Sequence, residues 1–519
     1  MEISPTLTPP ARKMFGNRFF TWRLMRKVLF VVATLITLGA LLFAEENWRG
    51  SRAWANYKRT MEAKGEHFDA ARLIPARVPD NENFAMTPFL AAVSAAPSEE
   101  SNLSLKGETN KFGNGYYAAA DSWTNITPPW FNLSVKFRLH PLGWDYGMAE
   151  DLNAWAAAIQ GASATTGDAE VTDPVRAANI ILDNLKSCEP TLAELRSAAA
   201  RRYCRFNIAY EEWDKPAVLE KLSQHVSLTK WLSRLLTLHA QAEMVSGHSD
   251  EALKDISVMF RIDDGLKVEP VLISQLVRLA CATLMLHSVG EGLAEHRWSE
   301  AQLQVLQERL SRIDLPASTV LALYGERDIC MNSRFDQGYL VPRGWNRLEQ
   351  LNLNRAFNET VLPRIDLARR EISPSVSHSM DLSFQSSYNA KGFSAFIHHD
   401  IMAIMTLPGY AHLGEKAAFA QSKVDMAMVA CALERYRLAQ GQYPDTLIAL
   451  VPRFAAALPH DIINGQPLKY RRTENGRFTL YSVGWNEKDD GGVAVATKTN
   501  PPRQDQLQGD WVWQYPDIP

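Results

Sequence analysis

His398-His399-Asp400 is the densest run of metal-ligating side chains in this 519-residue chain. A shared ion would need them to converge, yet adjacent residues on a helix point about 100° apart, so polar packing is the better reading. Glu326, Arg327 and Asp328, in LYGERDICM, have the chemistry of an active-site trio or of a buried ion network, and structural networks are the commoner use of such charges. Trp511 and Trp513 alternate in GDWVWQYP and so share one face of a strand. Exposed, the pair would be a docking or sugar-stacking surface; buried, it would pack a sheet edge into a core. The chain has no HExxH, GxSxG, P-loop or GxGxxG run. Cys188, Cys204, Cys281, Cys330 and Cys431 form no CxxC pair and have no His at ligand spacing, which excludes a zinc site. The apolar surroundings of four of them predict buried free thiols, with a Cys188–Cys204 disulfide left open.

The elements that would position these residues begin with Val28 to Ala44, VLFVVATLITLGALLFA, an uncharged run at the lower end of membrane-spanning length. Residues 1–27 carry Arg12, Lys13, Arg18, Arg23, Arg26 and Lys27 against Glu2, and Glu45 and Glu46 follow the run. The positive-inside bias puts the N-terminus in the cytoplasm and the body outside. A cleaved signal peptide is the competing reading; Leu42 is a poor cleavage-site residue and the basic leader is long, which favours an uncleaved anchor. The tail's net charge of +5 leaves −8 on the rest of the chain. With no basic stripe, that body is unsuited to the phosphates of nucleic acid.

Past the anchor, Asn47 to Lys64 reads as the same helix continuing, ended by Gly65. Pro75, Pro79 and Pro88 then predict an extended strap, and residues 95–135 predict loops with one hairpin at most. Residues 45–143 form this juxtamembrane region, and residues 144–405 a helical domain. Helix starts are marked by Asp173-Pro174 and by the capping boxes Thr191/Glu194 and Ser299/Gln302. Ser246-Gly247-His248-Ser249 breaks two amphipathic runs into an antiparallel helix pair.

Residues 412–519 read as an α+β module. Glu415 to Gln440 is a long helix with Val429, Ala432, Leu433 and Tyr436 on one apolar stripe, stopped by Gly441. Asn475-Gly476 predicts a hairpin between the runs on either side. ALERYRLAQGQYP, ALVP, LPHDIINGQPLKY and LYSVGWNEKDDGG, in that order, resemble the globular part of the major pseudopilin of type II secretion systems, over about residues 412–492. The resemblance implies a long helix on a small antiparallel sheet, closed by an acidic loop that binds calcium. By that resemblance the ligands are Asn486, Glu487, Asp489 and Asp490, with Gly491-Gly492 allowing a sharp turn. The same GWNEKDDGG run, with Lys488 amid the acids, is also what an ordinary solvated turn looks like. This helix lies far beyond the anchor and follows no prepilin cleavage site, so the module cannot polymerise as a pseudopilin does.

The expected architecture is therefore mostly α: an N-terminal transmembrane helix, an extracytoplasmic helical domain and a C-terminal pseudopilin-like module. The whole arrangement resembles single-pass anchored proteins of the bacterial inner membrane. The functional expectation is a non-enzymatic binding or scaffolding role in an envelope or secretion assembly, with the bilayer and unidentified proteins as partners. The alternative is an extracytoplasmic hydrolase or carbohydrate-binding enzyme whose site is assembled from distant residues. A cleft with converging Asp, Glu or His side chains favours the enzyme, and shallow helical grooves favour the binder.

Overall fold

The computed structural model describes residues 22–95, 150–162, 172–212, 216–333, 342–387, 399–498 and 503–513. Residues 1–21, residues 96–149 (most of the stretch expected to form loops) and His398 lie outside the described residues. Contacts divide the chain into two units, Met1–Glu66 with Phe335–Leu351, and His67–Arg334 with Asn352–Pro519.

In the first unit, α1 (Trp22–Glu62) is one uninterrupted helix of 41 residues, long and apolar enough to cross a membrane. At about 1.5 Å per residue it is roughly twice as long as the ~30 Å hydrocarbon layer is thick. Its apolar side chains face outward: Phe30 is 72% and Ile36 66% exposed. Thr34 and Thr37 turn their hydroxyls back onto the carbonyls of Phe30 and Ala33 at 2.8 Å, which satisfies them without water. Beyond the apolar stretch, Gly50 is the helix's buried residue.

The second unit is built on helices. The strap expected to be extended contains 3₁₀ turns at Ala70–Leu73, Asp80–Glu82 and Phe84–Met86, because Asp69 and Asn83 cap the turns that follow them. After α2 (Pro88–Ala95) come α3 (Leu152–Ala162), α4 (Pro174–Leu185) and α5 (Glu189–Ala198). Asp173 caps α4 through the amide of Val175. The expected Thr191/Glu194 box is not formed: a 3₁₀ turn at Lys186–Cys188 runs straight into α5, and Glu194 instead accepts the Phe89 amide at the start of α2, 3.0 Å away. The pair α6 (Pro216–Val245) and α7 (Ser249–Leu266) is broken where expected, with Gly247 at φ +86°. Next are α8 (Leu272–Ala294), α9 (Glu300–Leu310), whose Ser299/Gln302 capping box is formed, and α10 (Leu315–Ser333). The helix α8 is apolar enough to span a membrane, but 61% of that stretch is buried, which makes it the central core helix. The chain continues through α11 (Arg343–Ala356), whose first turns to Leu351 belong to the first unit, α12 (Pro374–Ser387) and α13 (Ile401–Thr406).

The long helix α14 (Leu413–Gln440) ends on Gly441 at φ +80°. It carries an antiparallel sheet ordered β1 (Lys469–Arg472), β2 (Phe478–Ser482), β5 (Trp511–Val512), with Lys469 opposite Tyr481 and Ser482 opposite Trp511. The turn between β1 and β2 is the expected one, with Gly476 at φ +75°. The strands β3 (Ala494–Ala496) and β4 (Gln504–Gly509) form a separate ribbon.

Residues 412–519 do not stand apart as a compact unit. Besides its sheet, α14 packs on α8, α9 and α10, and one hydrophobic core runs from Phe84 through Leu236, Met259, Met285 and Leu306 to Val429, Leu433 and Leu480. The physical reason is burial on both sides of α14: its Val429, Ala432 and Leu433 stripe is buried, and so are Ala417, Val424 and Ala427. Cys188, Cys204, Cys281 and Cys431 are buried free thiols, so the Cys188–Cys204 pairing is not made.

Candidate functional site

The loop after β2 is organised from its backbone outward. Asp510, fully buried just before β5, accepts the amides of Asp490 at 3.2 Å, Gly492 at 2.6 Å and Val493 at 3.2 Å. These form a cradle of backbone donors around one carboxylate, an arrangement suited to an anion. The residues singled out in the sequence are drawn to different partners. The Asn486 amide donates to Asp490 Oδ2 at 2.8 Å, while Asn486 Oδ1 accepts the Lys488 amide at 3.0 Å. Asp489 accepts from Tyr481 OH at 2.9 Å and from the Gly491 amide at 3.1 Å, and faces Lys469 at 3.4 Å. The Gly491 amide, helped by Tyr481, lowers the Asp489 pKa, whereas burial and the bond to Asp489 push the Tyr481 phenol up to about 12. Glu487, at φ +57°, turns away to Ser373 Oγ, 3.3 Å off, and to Ser375.

A calcium ion needs six to eight oxygens on one centre. Among the described residues no group of three or more His, Cys, Asp and Glu side chains is disposed to hold a metal. In this arrangement Asn486, Glu487, Asp489 and Asp490 each accept from a protein donor. A neighbouring carboxylate that the motif did not reveal, Asp461, ties the LPHDIING turn to β2 by accepting Ser482 Oγ at 2.8 Å and the Val483 amide at 2.9 Å. Burial raises its pKa against those bonds.

The other constellations resolve into supports. Arg327, on α10 and fully buried, donates to His67 O at 2.7 Å and Asn358 Oδ1 at 3.0 Å, and contacts Asp328 at 3.3 Å. Its guanidinium lies over Phe68 and Tyr324, about 5 Å from each ring centre. Glu326 accepts the Leu272 amide at 3.0 Å and so caps α8. This is the ion-network reading of the trio. His399 occupies a turn at φ +58°, not a helix, and Asn352 holds its carbonyl and the Asp400 carboxylate at 3.1 and 2.9 Å. Trp511 and Trp513 are buried, Trp511 standing edge-on to Phe419 of α14 with ring centres 5.2 Å apart. They pack the sheet into the core.

Sequence reasoning missed three histidine–carboxylate clusters among the core helices. On α6, His239 Nδ1 lies 2.9 Å from Asp255 of α7, which also binds Arg196 of α5 at 2.7 Å. Burial would lower the His239 pKa, but Asp255 outweighs it and raises it. His287 of α8 lies 3.0 Å from Glu291 and 3.4 Å from Glu150, and those two carboxylates overcome burial and raise its pKa to about 10. His225 and Tyr210 share Glu269 at 3.0 and 2.6 Å. The only signal available was a polar residue on an otherwise apolar helix face, as with His287 and Glu291 at i, i+4.

No family model, curated protein or solved structure matches this chain.

Proposed function

We propose that the protein is a single-pass anchored protein of a bacterial inner membrane, with its N-terminus in the cytoplasm and its helical body and C-terminal module outside. In this reading it serves as a non-enzymatic binding or scaffolding element of an envelope assembly. The observation that carries it is α1: no residue of its apolar stretch is buried, whereas the other apolar helix, α8, is mostly buried in the core. An exposed apolar surface of that length needs a non-aqueous partner. The basic residues before it and Glu45 and Glu46 after it supply the orientation.

Reporter fusions after residues 60 and 519 test the topology: both should report an extracytoplasmic position, and activity of a cytoplasm-only reporter at either would overturn it. Calcium at Asn486, Glu487, Asp489 and Asp490 belongs to this reading only through the pseudopilin resemblance, and it requires those side chains to converge on one centre. A rise in melting temperature with millimolar calcium, absent in the D489A/D490A variant, is its test.

A further inference from the structure

A cavity of about 620 Å³ opens between the C-terminal ends of α7 and α9, with the segment Arg202–Arg205 on one side and strap residues Pro75, Ala76 and Val78 on another. Its volume is in the ordinary range for a small-molecule site. Six cations line it: Arg202, Arg205, Arg261, Lys267, Arg309 and Arg312. Two carboxylates face them, and Asp263 is already held by both arms of Arg278, at 2.7 and 3.0 Å. That leaves Asp264 to serve three of the cations at once, Arg261 at 3.1 Å, Lys267 at 2.7 Å and Arg309 at 3.1 Å. At the rim Arg312 pairs with Glu308, while Arg202 lies over the Tyr203 ring and Arg205 over Tyr210.

The helix dipole accounts for some of these charges, since cations are favoured at helix C-termini. It does not account for two helices and a third segment directing them into one cavity with a single shared carboxylate inside. The wall has an apolar side as well, from Phe260, Val268 and Ile313, and Arg309 lies over the Phe260 ring at 5.1 Å. Convergent planar guanidinium groups can each pair with two of the tetrahedrally arranged, multiply charged oxygens of a phosphate, and an apolar or aromatic body suits the wall beside them.

We propose that this cavity binds a small phosphorylated molecule, its phosphate held by the basic cluster that runs from Arg261, Lys267 and Arg309 around Asp264 to Arg202 and Arg312 at the rim, and its apolar part laid on the Val268 and Ile313 side of the wall beneath Pro75–Val78. The site lies wholly within the second unit, and the inference does not depend on the anchoring of α1.

The test is calorimetric titration of the full chain in phosphatidylcholine nanodiscs with three probes: inorganic phosphate, phenyl phosphate and dihexanoyl phosphatidic acid. Phenyl phosphate should bind more tightly than inorganic phosphate, because it adds the apolar contact, and binding should weaken steeply with salt. A preference for phosphatidic acid over phenyl phosphate identifies a lipid headgroup as the source of the ligand, and the reverse order identifies a soluble phosphorylated compound. R202E/R312E changes two residues at the surface and should weaken binding about tenfold or more per arginine with the melting temperature unchanged. D264N, which releases Arg261, Lys267 and Arg309 to the ligand, should strengthen binding about tenfold. Failure of all three probes to bind, wild-type affinity in R202E/R312E, or weaker binding in a folded D264N protein overturns the proposal.

Discussion

Gly50 and Gly344 cross backbone to backbone: a Cβ on Gly50 would overlap the Gly344 carbonyl, and one on Gly344 would overlap the carbonyl of Glu46. The Gly344 amide donates to Asn47 Oδ1 at 2.8 Å, so the start of α11 is fastened to α1 just past its apolar stretch. No side-chain rotamer can relieve an overlap with backbone, and overpacking of this kind costs about 1–3 kcal/mol. Gly50→Ala and Gly344→Ala should each raise amide hydrogen exchange in residues 343–351, while Gly39→Ala, which meets nothing within 4 Å, should not. Unchanged exchange in both variants would rule the crossing out.

Glu434 provides an acid-sensitive tie between α14 and the turn after α8. Burial would raise its pKa, but Arg437 at 2.6 Å, His296 at 2.8 Å and Tyr443 at 2.8 Å outweigh that and bring it down to about 2. The folded pKa is depressed, so its contribution is complete above the ordinary value of 4.5 and is lost as pH falls from there towards about 2. The shift corresponds to roughly 3 kcal/mol. E434Q should therefore destabilise the protein at pH 7 and flatten the decline in stability across that acid window, as read from urea midpoints at successive pH values. Parallel curves for E434Q and wild type would contradict this account.

How far the sequence could be read depended on whether a feature is local. The α1 run, the Asp173 and Ser299 caps, the Gly441 stop and the Asn475-Gly476 turn are decided by residues within one turn of one another, and each is present. Thr191/Glu194 misled because Glu194 serves a helix about a hundred positions earlier. The same limit applies at the sites. Asp510 could not be linked to Gly492 without knowing that β5 pairs with β2, and the basic cavity gathers residues from Pro75 to Ile313. Spacing along one segment carries no record of such convergence.

Asp510 holds the 484–493 loop through three backbone donors in a fully buried position. Removing the carboxylate leaves buried amides unpaired, each costing about 1–3 kcal/mol, partly offset where water enters. D510A should lower the urea midpoint by more than D489A, since Asp489 lies at the exposed side of the loop. Equal effects of the two changes would mean that Asp510 is not the organising group.

The C-terminal module should not fold alone, although its long helix and sheet have the outline of an independent unit. A helix packed only on a sheet buries one stripe, but 19 of the 28 residues of α14 are buried. The surface away from the sheet is tied to the helical body by polar contacts as well as by packing. Gln421 accepts the Leu315 amide at 2.8 Å and donates to Ile313 O at 3.2 Å, and Arg435 reaches Glu300 and Gln307 at 2.9 Å each. Expressed alone, residues 412–519 would expose that apolar face and leave Gln421 and Arg435 without these partners. The fragment should show poor amide dispersion and a broad, non-cooperative melt, whereas the strands and helices of the full chain should unfold together. A cut at Pro408-Gly409 should leave the two pieces associated in native buffer, separating only in denaturant. A sharp melt and a dispersed spectrum from the isolated fragment would show that the boundary expected from the sequence is the real one.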